Sequence, residues 1–380
     1  MTKINKTVGI ITIHRIHNYG SVLQAFALCR IIDSLGYQSE LIDYIFPNSF
    51  QKTSSLASLP VSVSKTTAKQ KLIKLLYSFE LFKQHKLTDN FLKGRVRFSG
   101  ETYYSPNEIN SHSPNYDIYM TGSDQVWNPR YTRGDMTFLL DFVIGNKKCV
   151  SYAASYGTTD IPDELKKLYS KNLSKYSYIG VREKSGATLT KQLCGKTASV
   201  VLDPTLLLNA KEWNKEIPTS RRIKEKYIFC YFLNYSFDAF PYADHFAEHI
   251  KKITGYKLVY GTRPPQYFFN PGAHYMVGLG PIEFMQMIRD AEIVLTTSFH
   301  GTAFAVNFGR PVYSIIESRD SGDSRQTSLL DSLGLNDRIV EKWASFPSKE
   351  HLLYDVFPSM DKLNQMRMKS VSFIKKILED

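Results

Sequence analysis

The sequence predicts an α/β protein of two doubly wound, Rossmann-like domains. Three observations point there. The chain has 380 residues, more than one ordinary hydrophobic core holds. Between Val8 and Tyr44 a β-branched apolar run, a polar loop, a helical stretch and a second apolar run follow one another. The same order returns in residues 291–313, AEIVLTTSFHGTAFAVNFGRPVY.

Val8–Ile13 reads as a buried parallel strand. The loop His14-Arg15-Ile16-His17-Asn18-Tyr19-Gly20-Ser21 leads into a helix from about Val22 to Leu35, ended by Gly36, and Ser39–Tyr44 is the next strand. The loop lacks G-x-G-x-x-G, so a dinucleotide fingerprint is absent. Gly20 lets the backbone come close to a ligand at the helix N-terminus. Asn18 and Gly20 also fit plain turn and capping chemistry. Two His and one Arg within four residues favour an anion or substrate loop, with Arg15, His17, Asn18, Tyr19 and Gly20 as candidates.

Residues 48–66, rich in Ser, Thr and Pro, read as a mobile loop, and Ala68–Phe98 as a helix. Leu72, Leu75, Leu76, Phe79, Leu81 and Phe82 form its apolar face, opposite a Lys cluster. Such a helix packs on its own domain or lies on a membrane surface. Tyr116–Met120 is a short strand entering Thr121-Gly122-Ser123-Asp124-Gln125-Val126-Trp127-Asn128-Pro129. Here Asp124, Gln125 and Asn128 suit vicinal hydroxyls, and Trp127 suits a pyranose face. Asp124 is also a candidate base toward a hydroxyl. An Asx-turn beside a half-buried Trp is the plainer reading.

Strands follow at Lys148–Ala154, Tyr178–Val181 and Ser199–Leu202, with helices at Asp163–Leu173 and Ser185–Cys194 between them. Arg182 stands at a strand end, where it suits a carboxylate or phosphate, or pairs with Glu183 or Asp203. A polar linker is expected at 209–226, separating a first domain, 1–208, from a second, 227–358. In the second, Tyr227–Leu233 and Tyr256–Tyr260 read as strands, and Phe240–Thr254, Pro281–Asp290 and Thr327–Leu333 as helices. Ile293–Leu295 is a strand, and Thr302–Phe308 a short helix stopped by Gly309 and Pro311, before the strand Val312–Ile316. Open sheets bind ligands at the carboxyl ends of their strands, and a helix start offers free N–H groups there. His300 sits at that lip, either donating to an anion or moving a proton, or merely capping a turn. A terminal helix spans about 359–380.

The net charge is +12, and the excess is local. Between Lys65 and Arg97 nine Lys/Arg stand against two Asp/Glu. An anionic membrane surface or an acidic substrate suits this charge, no nucleic-acid-binding signature accompanies it and nucleic acid is not expected, and a solvated basic helix face is the leading expectation. Cys29, Cys149, Cys194 and Cys230 form no C-x-x-C pair, which argues against zinc and a disulfide frame and for a reducing compartment. With no signal peptide and no apolar run of membrane-spanning length, a cytoplasmic location is expected.

Taken in order, HNYGSVLQAFAL, TGSDQVWNP, YAASYG, IGVREKSG, VLDPTLLL and TTSFHGTAFAVNFGRPV resemble the polysaccharide pyruvyl transferase family over most of residues 8–340. The resemblance implies a GT-B-like pair of Rossmann-like domains with the active site between them and the terminal helix crossing back to the first. It implies transfer of pyruvate from phosphoenolpyruvate to two hydroxyls of a sugar as a cyclic ketal, in capsule or exopolysaccharide assembly. It needs no metal and no cofactor beyond that co-substrate. Arg182 and His300 would hold the donor, with His300 also the general acid. Ser298, Gly301, Thr302, Arg325 and Arg263 join them as donor-side candidates. The acceptor, a hexose that a lipid carrier would bring to the basic helix, would meet Asp124, Gln125, Trp127, Asn128 and the residue 15–20 loop. Many relatives carry Arg-Leu-His where this chain has Ser298-Phe299-His300, so Arg325, Arg263 or Arg15 replaces a cation or the donor differs. A nucleotide-sugar glycosyltransferase and a non-catalytic carbohydrate-binding protein are the rival readings.

Overall fold

The structure, a computed structural model, describes residues 6–45, 68–234, 236–262 and 270–380. Arg263 and the Ser/Thr/Pro-rich stretch 48–66 lie outside the described residues. The first sheet comprises β1 (Thr7–Ile11), β2 (Gln38–Tyr44), β3 (Phe98–Tyr103), β4 (Ile118–Thr121), β5 (Lys148–Ala154), β6 (Tyr176–Val181) and β7 (Ser199–Val200). The second comprises β8 (Tyr227–Tyr231), β9 (Lys257–Tyr260), β10 (Ala273–Tyr275), β11 (Ile293–Thr296), β12 (Val312–Ile316) and β13 (Ile339–Glu341). All registers are parallel, in the orders β3-β2-β1-β4-β5-β6-β7 and β10-β9-β8-β11-β12-β13. Each sheet therefore reverses its winding once, between β1 and β4 and between β8 and β11. Doubly wound sheets bind ligands at that reversal.

The central strands are apolar on both faces because both faces are covered. In β8, Tyr227, Phe229 and Tyr231 enter one core while Ile228 and Cys230 enter another. The first of these cores also takes Val8, Ile10, Ile118 and Met120 from the first sheet, so one apolar mass runs between the domains.

The longer helices are α1 (Tyr19–Ser34), α2 (Ala68–Phe91), α3 (Asp163–Leu173), α4 (Lys184–Cys194), α5 (Tyr242–Thr254), α6 (Pro281–Asp290), α7 (Phe299–Asn307), α8 (Arg325–Leu333) and α9 (Phe357–Glu379). The segment read as a polar linker contains a capped helical turn, Ala210–Trp213. Trp213 is wholly buried between Phe26 of α1 and Phe304 of α7, so this segment packs rather than merely connects. Helix α9 returns to the first domain. Ser370 Oγ accepts from Leu202 N at 3.0 Å, and Tyr178 donates its hydroxyl to Asp380 at 2.8 Å. The helix read through to Phe98 stops at Phe91, and β3 takes its last residue.

Candidate active site

The sheets direct their carboxyl ends at a common cleft of about 1090 Å³. Its first wall grows from β1. Thr12 donates its hydroxyl to Ser123 O at 2.7 Å, joining the loops after β1 and β4. The Asn18 side chain then caps α1, accepting from Gly20 N at 2.9 Å and Ser21 N at 3.4 Å. The β4 loop presents Asp124 at φ 76°, a left-handed conformation rare for a non-glycine residue. Its carboxylate accepts from Ser21 Oγ at 2.6 Å and from Gln125 N at 2.9 Å.

The opposite wall is the start of α7. Ser298 caps it, its Oγ accepting from Gly301 N at 3.3 Å. The helix therefore begins at Phe299, earlier than its composition suggests, and His300 lies in its first turn. The imidazole lies against α1: a Cβ built on Gly20 would stand 1.9 Å from His300 Nδ1. Only a glycine permits this approach.

Between the walls stands Asp203, which follows β7. Its Oδ2 accepts from Arg182 Nη1 and Ser123 Oγ, both at 2.9 Å, and lies 3.6 Å from His300 Nε2. Its Oδ1 accepts from Thr205 N and Oγ1. Burial opposes its ionisation, but the charges of His300 and Arg182 and these hydrogen bonds outweigh burial, holding the carboxyl below its ordinary range. Arg182 is also buried, its guanidinium 4.5 Å above the Phe299 ring. Its Nη2 stands 3.9 Å from Asp124 and its Nε 3.9 Å from Glu183, too far for hydrogen bonds. Arg182 Nε and Nη2 and His300 Nε2 are left buried without partners. For Glu183, burial pushes the carboxyl upward and outweighs the Arg182 charge.

A second cation, Arg325 at the start of α8, lines the cleft and donates Nε to Asp323 at 2.7 Å. Burial disfavours its charge, but Asp323 more than offsets this and raises its pKa.

The sequence matches the family described as polysaccharide pyruvyl transferase over residues 18–319, more than half the chain. The chain belongs to that family. No curated protein sequence matches it. The UDP-N-acetylglucosamine 2-epimerase of Rickettsia bellii superposes at TM-score 0.54 with 8% identity, over 99% of this chain and 96% of that one. The glycosyltransferase SnogD from Streptomyces nogalater superposes at TM-score 0.45 with 14% identity, over 97% and 96%. The first likeness is one of fold: two parallel-sheet domains in a GT-B-like arrangement.

In this pyruvyl transferase family member the cleft gathers Asn18, Asp124, Gln125, Asn128, Ser298, His300 and Arg325. Other candidates are elsewhere. Trp127 is wholly buried, donating its indole N–H to Phe138 O at 3.1 Å and packed against Tyr156 and Tyr176. It is core and cannot stack on a sugar. Tyr19 is buried between the domains, its hydroxyl donating to Leu279 O. Arg15 turns away from the cleft to pair with both oxygens of Asp43, and His17 to stack on His85 and meet Asp89. Thr302 spends its hydroxyl inside the protein, near Ser298 O and Ser314 Oγ. Gly301 packs on its own strand, where a Cβ would meet Thr296 Oγ1 at 2.4 Å. The sequence names Asp203 only as a pairing partner for Arg182 and not as a site candidate, although it stands third in the family-like stretch VLDPTLLL. Its position directly after a strand, like that of Arg182, was the available signal.

Proposed function

We propose that this protein moves pyruvate from phosphoenolpyruvate onto two hydroxyls of a sugar, forming a cyclic ketal in capsule or exopolysaccharide assembly. The observation carrying this is the set of three buried nitrogens on Arg182 and His300, two side chains tied to Asp203, that have no hydrogen-bond partner among the described residues. An unpaired buried polar group costs about 1–3 kcal/mol. A ligand with a carboxylate and a phosphate relieves that cost at Arg182, which stands behind the cleft wall 3.9 Å from the cleft residue Asp124, while Arg325 is a cation that lines the cleft itself.

His300 protonates the donor's methylene carbon, making C2 electrophilic. The first sugar hydroxyl adds to C2 and gives up its proton to Asp124, a carboxylate of the cleft. The C2–O bond to phosphate breaks, phosphate leaves with its electron pair, and the second hydroxyl adds to the same carbon and loses its proton. Asp203 touches neither substrate in this scheme; it holds Arg182 and His300 in register.

Thermal shift with phosphoenolpyruvate against a panel of nucleotide sugars tests the donor. At about a hundred times its Kd a ligand adds roughly 2.7 kcal/mol. We expect that shift with phosphoenolpyruvate and its loss in Arg182→Lys, which keeps the charge but not the two-pronged geometry. A shift with a nucleotide sugar alone would replace this reading with glycosyl transfer.

A further inference from the structure

Helix α2 has an outer face that the chemistry above does not use. Its inner face packs: Thr88 and Phe91 are buried, Phe91 edge-on to Phe26, and Leu87 lies against Gly280 before α6. The outer face carries Phe79 and Phe82, 67% and 65% exposed, with exposed Lys83 and Lys86. The spacing i, i+3, i+4, i+7 puts all four on one stripe, so Phe79 and Phe82 adjoin these lysines and stand exposed, where the sequence placed them on a face opposite the Lys cluster. No described residue pairs with either lysine. Elsewhere among the described residues exposed rings are scattered; here two adjoin lysines that no described residue pairs with.

We propose that this face of α2 docks on an anionic lipid surface. Aromatic rings enter the headgroup boundary while neighbouring lysines meet lipid phosphates, the pattern of a helix lying in an interface. The sequence that contains this face carries charge of the required sign, with nine Lys/Arg against two Asp/Glu between Lys65 and Arg97, of which Arg95 and Arg97 are paired with Glu216 and Asp33. A nucleic acid would find the cations but no use for paired rings on a convex helix without a basic groove.

The docking face lies close to the cleft. His85, in the same helix, stacks on His17 with ring centroids 3.6 Å apart and planes within 10°. The next residue, Asn18, lines the cleft. A protein held by α2 therefore keeps that wall about one helix diameter, roughly 10 Å, from the lipid. If the ketal-transfer reading holds, a sugar on a lipid carrier is the acceptor class this placement suits. Docking itself does not depend on that reading.

The test is cosedimentation of the full chain with phosphatidylcholine vesicles, with and without phosphatidylglycerol. Binding is expected only with the anionic lipid, and salt should remove it. Lys83→Gln with Lys86→Gln should lower partitioning about thirty-fold, and Phe79→Ser with Phe82→Ser about tenfold or more. Thermal midpoints should stay unchanged, since all four side chains are exposed. Failure of the native protein to bind at low salt, equal binding to neutral vesicles, or undiminished binding by both double variants would each overturn the proposal. Binding needs no turnover, so a wrong donor assignment leaves this result intact.

Discussion

Two helices start face to face across the cleft, and they start differently. Helix α1 begins after a loop of seven residues, Thr12–Asn18, and α7 after two, Thr297 and Ser298. Each is capped by a short polar side chain, Asn18 or Ser298, and each has a glycine in its first turn. Gly20 makes room for the imidazole of the other domain, whereas Gly301 makes room for its own strand. One start supplies space and the other a titratable group. The same residue type thus makes room across the cleft at one helix and within its own domain at the other.

This contrast can be broken in several places. The largest effect belongs to His300→Gln, which should cut turnover about 10²–10⁴-fold without changing the thermal midpoint much. Full turnover would show that α7 does not supply the proton. Next, Asp203→Asn leaves the Arg182 charge buried without its counter-charge and should cost about 3–5 kcal/mol, read by denaturant unfolding. Its pH dependence has a definite sign. The folded carboxyl titrates below the unfolded one, so its contribution is present above the ordinary carboxylate range, about pH 4. That contribution fades as pH falls toward the folded value. The Asn variant should lack this part of the acid limb; an identical limb would remove Asp203 as the tie.

Gly20→Ala and Gly301→Ala sharpen the comparison directly. The first should lower turnover about a hundredfold by displacing the imidazole. The second should mainly cost stability, about 1–3 kcal/mol. If both act on stability alone, the functional reading of Gly20 fails. The smallest effect is expected from Trp127→Phe, about 1–2 kcal/mol for a lost hydrogen bond and a small void, measured by thermal unfolding. Acceptor half-saturation should not move; a rise would return Trp127 to the sugar site.

Strands buried on both faces were legible because only small buried residues, Gly9, Ser151 and Ser314, break their apolar runs, as in β1, β5, β8 and β12. The edge strands β3, β10 and β13 were not: Gly100-Glu101-Thr102 and His274 stand exposed and Glu341 is half-buried, which leaves no apolar run to read. In the cleft, the sequence placed residues on the correct loops but could not show which way each side chain turns. His300, Asp124 and Ser298 face the cavity. Trp127 and Thr302, three and two residues along from Asp124 and His300, turn into the core. Arg15 and His17 are basic side chains, and that made them look like ligand groups. Their partners, Asp43 and Asp89, are distant in sequence, so only the fold reveals that they are already engaged.

The return of α9 bears on the order in which the molecule is completed. Ser370, Phe373, Ile374 and Leu378 cover strands of the first sheet, against Leu202, Tyr152, Gly180 and Lys148. On a ribosome that sheet emerges early and waits for its cover until the whole second domain has been synthesised. The domain made first is finished last, and during translation its uncovered face is the surface a chaperone would meet.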